Sequence, residues 1–155
     1  MARYLMPLIR SLLFSLIFYL GTLGFVILGI VAGAISTQVM LRVINGWAHF
    51  HHWLATDLLG IRTEIDGAVP PGPHLIAIKH QSMFETIEML RVARNPIMVV
   101  KRELADLPLF GRLTRSDGII PVDREAGASA LREMLVAAKA ATASGRPVVI
   151  YPEGT

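Results

Sequence analysis

Two residues in this chain have the types and spacing for proton-transfer chemistry, His80 and Glu85. An imidazole is well matched to remove a proton near neutral pH, and a carboxylate at its other ring nitrogen would fix its tautomer. Residues five apart point about 140° apart on a continuous helix. The pair can therefore meet only if His80 precedes a helix and Glu85 folds back from its first turn.

A purely structural interpretation of the same residues stays open. Ser82 and Glu85 match a capping box, in which Ser82 is the N-cap and Glu85 the third helical residue. Glu85 would then stabilise the start of a helix, and His80 would be an ordinary residue at a strand end.

Further polar residues follow predicted strands. The guanidinium of Arg124 could hold a phosphate in bidentate fashion, and Lys101 could add positive charge. Glu153 could accept hydrogen bonds from a hydroxyl-bearing substrate, and Gly154 would allow close backbone approach. Taken singly, each of these residues also fits a plain strand end or turn.

The elements that must position these residues follow from the pattern of apolar side chains. Strands are predicted at 61–66, 74–79, 97–101, 118–122 and 148–151, and helices at 83–94, 107–115 and 125–144. This alternation predicts an α/β fold, with a mixed, largely parallel sheet flanked by helices. The last helix is expected to turn one stripe inward: Leu131, Met134, Leu135, Ala138 and Thr142.

A long apolar segment precedes the sheet. No acidic or basic residue and no histidine occurs from Ser11 to Leu41, which exceeds the roughly 20 residues that cross a bilayer. We expect either one tilted helix or two shorter ones that enter the membrane and return. The segment is also longer than the apolar part of a cleaved signal peptide. Residues 39–59, with Trp47 and Trp53, predict an interfacial helix or one that packs on the folded domain.

Composition supports a membrane-bound protein. Hydrophobic residues make up 53% of the 155 residues, and mean hydropathy is +0.52. The chain has no cysteine, which excludes disulfides, zinc–thiolate sites and cysteine nucleophiles. Its net charge of +3 suits an anionic membrane surface or a phosphate-bearing substrate. We expect a membrane anchor and interfacial helix over 1–59, a catalytic domain over 60–155, and neither a metal nor nucleic acid as a ligand.

In order and spacing, these motifs resemble those of the 1-acyl-sn-glycerol-3-phosphate acyltransferases, also called lysophosphatidate acyltransferases. The family's first block is a histidine, four residues and an aspartate, and here His80 and Glu85 fill those places. Its second block resembles residues 118–124, and its third resembles residues 151–155. Glutamate in place of aspartate keeps the charge but lengthens the reach by one methylene. The family's fourth block is absent, so we expect a C-terminally truncated sequence.

The resemblance implies a membrane-bound O-acyltransferase of phospholipid biosynthesis. It would transfer an acyl group from acyl-CoA or acyl-carrier protein to the sn-2 hydroxyl of lysophosphatidate, giving phosphatidic acid without a cofactor. His80 would be the general base and Glu85 would orient it. Lys101 and Arg124 would bind phosphate, and Glu153 and Gly154 the acceptor. Backbone N–H groups at the start of the helix after Ser82 are candidate oxyanion donors.

The remaining expectations concern the location of the protein and two alternative functions. We expect the protein in the inner or plasma membrane, with its catalytic part facing the cytoplasm and membrane lipids as partners. One alternative is an acyltransferase for another lyso-lipid, such as a lyso-aminolipid. Another is a non-catalytic, membrane-anchored lipid-binding fragment.

Overall fold

The chain begins with a helical hairpin. The computed structural model describes residues 2–106 and 119–153. Helix α1 (Ala2–Ile35) is unbroken, and α2 (Thr37–Trp53) follows directly. Between them, the Ser36 side chain accepts the Val39 N–H at 3.2 Å and caps α2. Of the two forms that the sequence left open, the structure therefore has the single helix, and the chain reverses after it at Ser36.

A glycine lets the two helices of the hairpin approach closely. A Cβ atom at Gly21 would collide with the Phe50 ring, so a larger residue would displace that ring and disturb the packing of α2 on α1. Beside this contact, Trp47 Nε1 donates to Thr22 Oγ1 at 3.0 Å. The outer surface of α1 is apolar and exposed, and Leu5–Ile35 is long and apolar enough to cross a membrane.

Helix α2 continues as a π-helical turn, Leu54–Leu58. Residues 37–58 are therefore helical, close to the predicted range of 39–59. Their apolar side chains divide between two environments: Leu54 is buried, whereas Trp53 is half exposed. Helix α2 thus packs on its neighbours along one face, as the second sequence interpretation allowed.

The second part of the chain is built on a parallel sheet. Strands β1 (Leu75–Ala77), β2 (Ile97–Lys101), β3 (Ile120–Val122) and β4 (Val148–Ile150) lie in the order β1-β4-β2-β3. All three described strand pairs are parallel. The α/β fold with an N-terminal apolar helix is confirmed, and β2 has the predicted bounds. The strand predicted at 61–66 is wrong, because this segment is irregular and pairs with no described strand.

Helices cover both faces of the sheet. Side chains alternate along β2, so Met98 packs towards α3 (Met83–Val92) and Ile97 towards a later helix. Helix α4 (Arg102–Ala105) and a 3₁₀ turn (Arg124–Ala126) precede that helix, α5 (Ala128–Thr142). The helix predicted at 107–115 lies outside the described residues.

The predicted inward stripe of α5 is partly wrong. Met134 and Ala138 pack against the sheet together with Ala137 and Ala141, but Leu131 and Leu135 are more than half exposed. Alanine side chains let α5 lie close to the sheet. With the alanines facing the sheet, Leu131 and Leu135 lie on the exposed side of the helix. Hydrophobicity alone therefore predicted only part of the buried face.

Candidate active site

The parallel sheet brings several of the predicted site residues to one edge. In a parallel sheet the carboxyl ends of all strands lie on the same side, where ligands commonly bind. His80 follows β1, Glu153 follows β4, Lys101 ends β2, and Arg124 follows β3. Of these, the structure places His80 and Glu153 in direct contact.

His80 and Glu85 meet at the start of α3. His80 Nδ1 lies 2.7 Å from Glu85 Oε1, across the turn that precedes the helix. His80 is outside the helix, and Glu85 folds back from its first turn. This is the one arrangement in which residues at this spacing can touch.

Glu85 also completes the capping box. Its Oε1 accepts the N–H groups of Gln81 and Ser82 at 2.7 Å each, and its Oε2 accepts the Ser82 hydroxyl at 2.7 Å. The Ser82 hydroxyl in turn accepts the Phe84 N–H at 3.1 Å. The two interpretations that the sequence left as alternatives are therefore combined in one carboxylate.

These contacts keep Glu85 ionised. Burial raises the pKa of Glu85, but hydrogen bonds from the Ser82 side chain and backbone, from His80 and from Gln81 outweigh it and lower the pKa to about 2. An ionised carboxylate can only accept hydrogen bonds, so His80 Nδ1 carries the hydrogen. In the neutral ring, Nε2 then holds a free lone pair that can take a proton.

Two contacts hold His80 from the side of β4. The Tyr151 ring lies against the imidazole, with centroids 4.7 Å apart and planes at 41°. Glu153 Oε2 accepts the His80 backbone N–H at 3.1 Å. Burial raises the pKa of Tyr151, and the negative charge of Glu85 adds to this effect. The predicted site left out Tyr151, although its position directly before Pro152 and Glu153 was a usable signal.

Of the two predicted phosphate-binding residues, the structure describes the side chain of Lys101 only. Lys101 lies at the end of β2, about half exposed, with Nζ 3.8 Å from Glu103 Oε1. Its Cα pairs with that of Val122, two residues before Arg124, so the two cationic residues follow neighbouring strands. Gly154 and the side chain of Arg124 lie outside the described part of the chain.

The start of α3 is less open to an oxyanion than the sequence suggested. The N–H groups of Gln81 and Ser82 are bound by Glu85, and that of Phe84 by Ser82. In the described residues, no group of three or more histidine, aspartate or glutamate side chains could hold a metal ion.

An apolar cleft adjoins the site. It has a volume of about 310 Å³ and lies between α1, α2 and the start of α3. Its lining includes Phe14, Phe18, His51, Ser82, Phe84 and Ile87. Ser82, which contacts Glu85, is the residue shared between this cleft and the surroundings of the His80–Glu85 pair.

Comparison with known proteins places this site in a family. The acyltransferase family matches residues 60–155. The 1-acyl-sn-glycerol-3-phosphate acyltransferase of Pseudomonas aeruginosa is 34% identical over 95% of this chain and 59% of its own length. The enzyme of the same name from Helicobacter pylori is 33% identical over 64% of this chain and 42% of its own length.

A third relative has a different acceptor in its name. The lyso-ornithine lipid O-acyltransferase of Rhizobium meliloti is 30% identical over 67% of this chain and 36% of its own length. The chain thus spans about 59% or less of the length of these relatives. No solved structure is significantly similar to it. Because the family match covers the whole sheet and the His80–Glu85 pair, the chain belongs to the acyltransferase family.

Proposed function

We propose that this chain carries the catalytic centre of a lysophosphatidate acyltransferase. The enzyme would move a fatty acyl group from acyl-CoA or acyl-carrier protein to the sn-2 hydroxyl of 1-acylglycerol 3-phosphate, giving phosphatidate. The observation that carries the proposal is the 2.7 Å contact between His80 Nδ1 and Glu85 Oε1, close to the hairpin of α1 and α2, which we propose to be a membrane hairpin. The names of the relatives supply the acceptor.

The chemistry follows from the proton positions. His80 Nε2 takes the proton of the acceptor hydroxyl while its oxygen attacks the thioester carbonyl. The carbon–sulfur bond then breaks, the ester forms, and the imidazolium returns the proton to the leaving thiolate. The Glu85 carboxylate stabilises the imidazolium between these steps. No change of oxidation state is needed.

The surroundings of the pair suit the proposed substrates. The apolar cleft beside Ser82 could take an acyl chain, because its lining is largely aromatic and aliphatic. Lys101 and Arg124 would hold the phosphate, and Glu153 and Gly154 would lie near the acceptor. With α1 in the inner or plasma membrane and the sheet on the cytoplasmic side, a lipid acceptor would reach the pair from the bilayer.

The test is acyl transfer to 1-acylglycerol 3-phosphate by membranes that contain the chain. We expect His80→Ala to lower the rate by about 10²–10⁴-fold without loss of membrane association, because it removes the general base. His49→Ala is the control, since His49 is exposed on α2 and its Nδ1 contacts only the Asn45 carbonyl oxygen. A His80→Ala rate within a few-fold of wild type would refute the role of His80.

A second acceptor has a specific observation in its favour. The Rhizobium meliloti relative is named as acting on a lyso-ornithine lipid, and the proposed base would serve either hydroxyl. Parallel assays with lysophosphatidate and lyso-ornithine lipid distinguish the two proposals. A preference for lyso-ornithine lipid would assign the chain to that reaction instead.

A further inference from the structure

A second glutamate on the catalytic helix is buried. Glu88 lies three residues after Glu85 on α3 and is only 3% exposed. A buried carboxylate is costly unless hydrogen bonds or opposite charges compensate it. The proposed chemistry does not use Glu88, so its burial needs another explanation.

The partners of Glu88 come from three parts of the chain. His52 Nδ1, on α2, lies 3.1 Å from both carboxylate oxygens. Arg91, on α3 itself, donates from a terminal nitrogen to Oε2 at 2.8 Å. Thr63, in the segment that leads to the sheet, donates its hydroxyl to the same oxygen at 3.5 Å. Glu88 therefore links the membrane hairpin to the catalytic domain.

His51 adds an aromatic contact beside this link. Its ring packs against Phe18 of α1 and Phe84 of α3, with centroids 5.5 Å apart in each case. Its Nδ1 is 3.9 Å from Glu88 Oε1. Phe84 directly precedes Glu85, so the hairpin touches the helix within one residue of the proposed pair.

A second polar bridge lies two turns away on the same face of α2. Asn45 Nδ2 donates to Asn95 Oδ1 at 2.5 Å. Asn95 is in the turn between α3 and β2, where its φ of 63° places it in the left-handed region. Asn45 and His52 are seven residues apart, about two helical turns. The hairpin is thus held at both ends of α3.

The contacts of the His80–Glu85 pair, by contrast, come from the part of the chain that forms the sheet and α3. Glu85 is bound by residues 80–82, and His80 by Glu153 and Tyr151. None of these bonds involves the hairpin. Loss of the Glu88 link would therefore leave the pair assembled but would loosen its orientation relative to α1, since only two of the contacts described above, the His51 packing and the Asn45–Asn95 bridge, would remain.

We infer that Glu88, through His52, is a positioning residue that fixes the catalytic pair relative to the membrane hairpin. This inference rests on the proposed function. It predicts that Glu88 matters for acceptors embedded in a bilayer and matters little for acceptors that diffuse freely. A purely structural role would affect both kinds of acceptor equally.

The experiment compares two forms of one acceptor in lipid vesicles that contain the full chain. One is long-chain 1-acylglycerol 3-phosphate within the vesicle bilayer, and the other is a short-chain analogue dissolved as a monomer. We expect Glu88→Gln to lower kcat/KM about tenfold or more for the bilayer acceptor, because small misplacements are costly in catalysis. The dissolved acceptor should change less than about threefold. Glu133→Gln, at an exposed carboxylate on α5, should change neither.

A double-mutant comparison tests the link itself. The melting temperature and kcat/KM of His52→Gln combined with Glu88→Ala should equal those of Glu88→Ala alone, because alanine removes the carboxylate and with it the shared contact. Equal losses on both acceptors, no loss on the bilayer acceptor, or additive effects of the two substitutions would overturn the inference. A wild-type chain inactive on both acceptors would instead refute the proposed function, and with it the role of Glu88.

Discussion

Replacing Glu85 with glutamine separates the two roles that the structure combines in one carboxylate. Glutamine keeps the length of the side chain and can still accept hydrogen bonds from Gln81 and Ser82. It removes the negative charge that would stabilise a protonated His80. We therefore expect Glu85→Gln to lower kcat strongly and stability modestly.

The magnitude follows from the contacts of Glu85. Its pKa falls from 4.5 to about 2, which at about 1.4 kcal/mol per pKa unit corresponds to about 3 kcal/mol. Because 22% of the side chain is exposed, solvent screening reduces this to about 2 kcal/mol. A hydrogen bond to a charged group contributes about 1.5–3 kcal/mol, so loss of the negative charge from the His80 contact predicts a roughly 10- to 100-fold lower kcat.

Ser82→Ala is the matched control. It removes the hydroxyl bonds to Glu85 Oε2 and from the Phe84 N–H but leaves the contact between Glu85 and His80. Loss of an N-cap costs about 1 kcal/mol, so the melting temperature should fall by a few degrees. Its kcat should stay within about threefold of wild type, because the charge beside the imidazole remains.

The assay is acyl transfer at saturating lysophosphatidate, with thermal unfolding of the same preparations in detergent. The wild type, Glu85→Gln and Ser82→Ala are compared side by side. If Glu85→Gln kept kcat within threefold of wild type while melting earlier, Glu85 would be only a helix cap. If Ser82→Ala lost as much kcat as Glu85→Gln, the separation of the two roles would be wrong.

Three further predictions follow. The lowered pKa of Glu85 means that its ionised carboxylate stabilises the fold fully above about pH 4.5 and that this contribution is lost as the pH falls towards 2. Between pH 6 and pH 3, the melting temperature should therefore fall less in Glu85→Gln than in the wild type. Arg124→Ala should raise KM for phosphate-bearing acceptors about tenfold or more, whereas Arg132→Ala, at an exposed arginine, is the control. An equal rise in KM for acceptors without phosphate would contradict a phosphate-binding role. Gly21→Leu should displace the Phe50 ring, disturb the packing of α2 on α1 and lower the melting temperature by several degrees, whereas Gly24→Leu, where a Cβ meets nothing within 4 Å, should not.

Local patterns predicted much of this molecule from sequence. The apolar residues at 97–100 predicted β2 with its observed bounds, because a strand buried on both faces of a parallel sheet is a continuous apolar run. The position of His80 before the helix also followed from spacing alone. Residues 61–66 alternate only loosely between apolar and polar side chains, and no described strand pairs with them. A strand needs a partner, and the local sequence does not supply one.

The contacts that sequence could not predict join distant parts of the chain. His52 and Glu88 are 36 residues apart, and His80 and Glu153 are 73 apart. From the local sequence alone, Glu88 would be assigned to the exposed face of an amphipathic helix, because charged side chains are almost never fully buried unless paired. Only the fold shows that its partners come from α2 and from Thr63.

Helix α3 thus carries two carboxylates with separate duties. Glu85, at its first turn, binds the imidazole and the start of the helix. Glu88, one turn later, binds the hairpin. Both carboxylates lie within one helix of ten residues. In the proposed roles, α3 sets the distance between the bilayer and the general base His80. A substitution at Glu88 would then change which acceptors reach His80 rather than the chemistry performed on them.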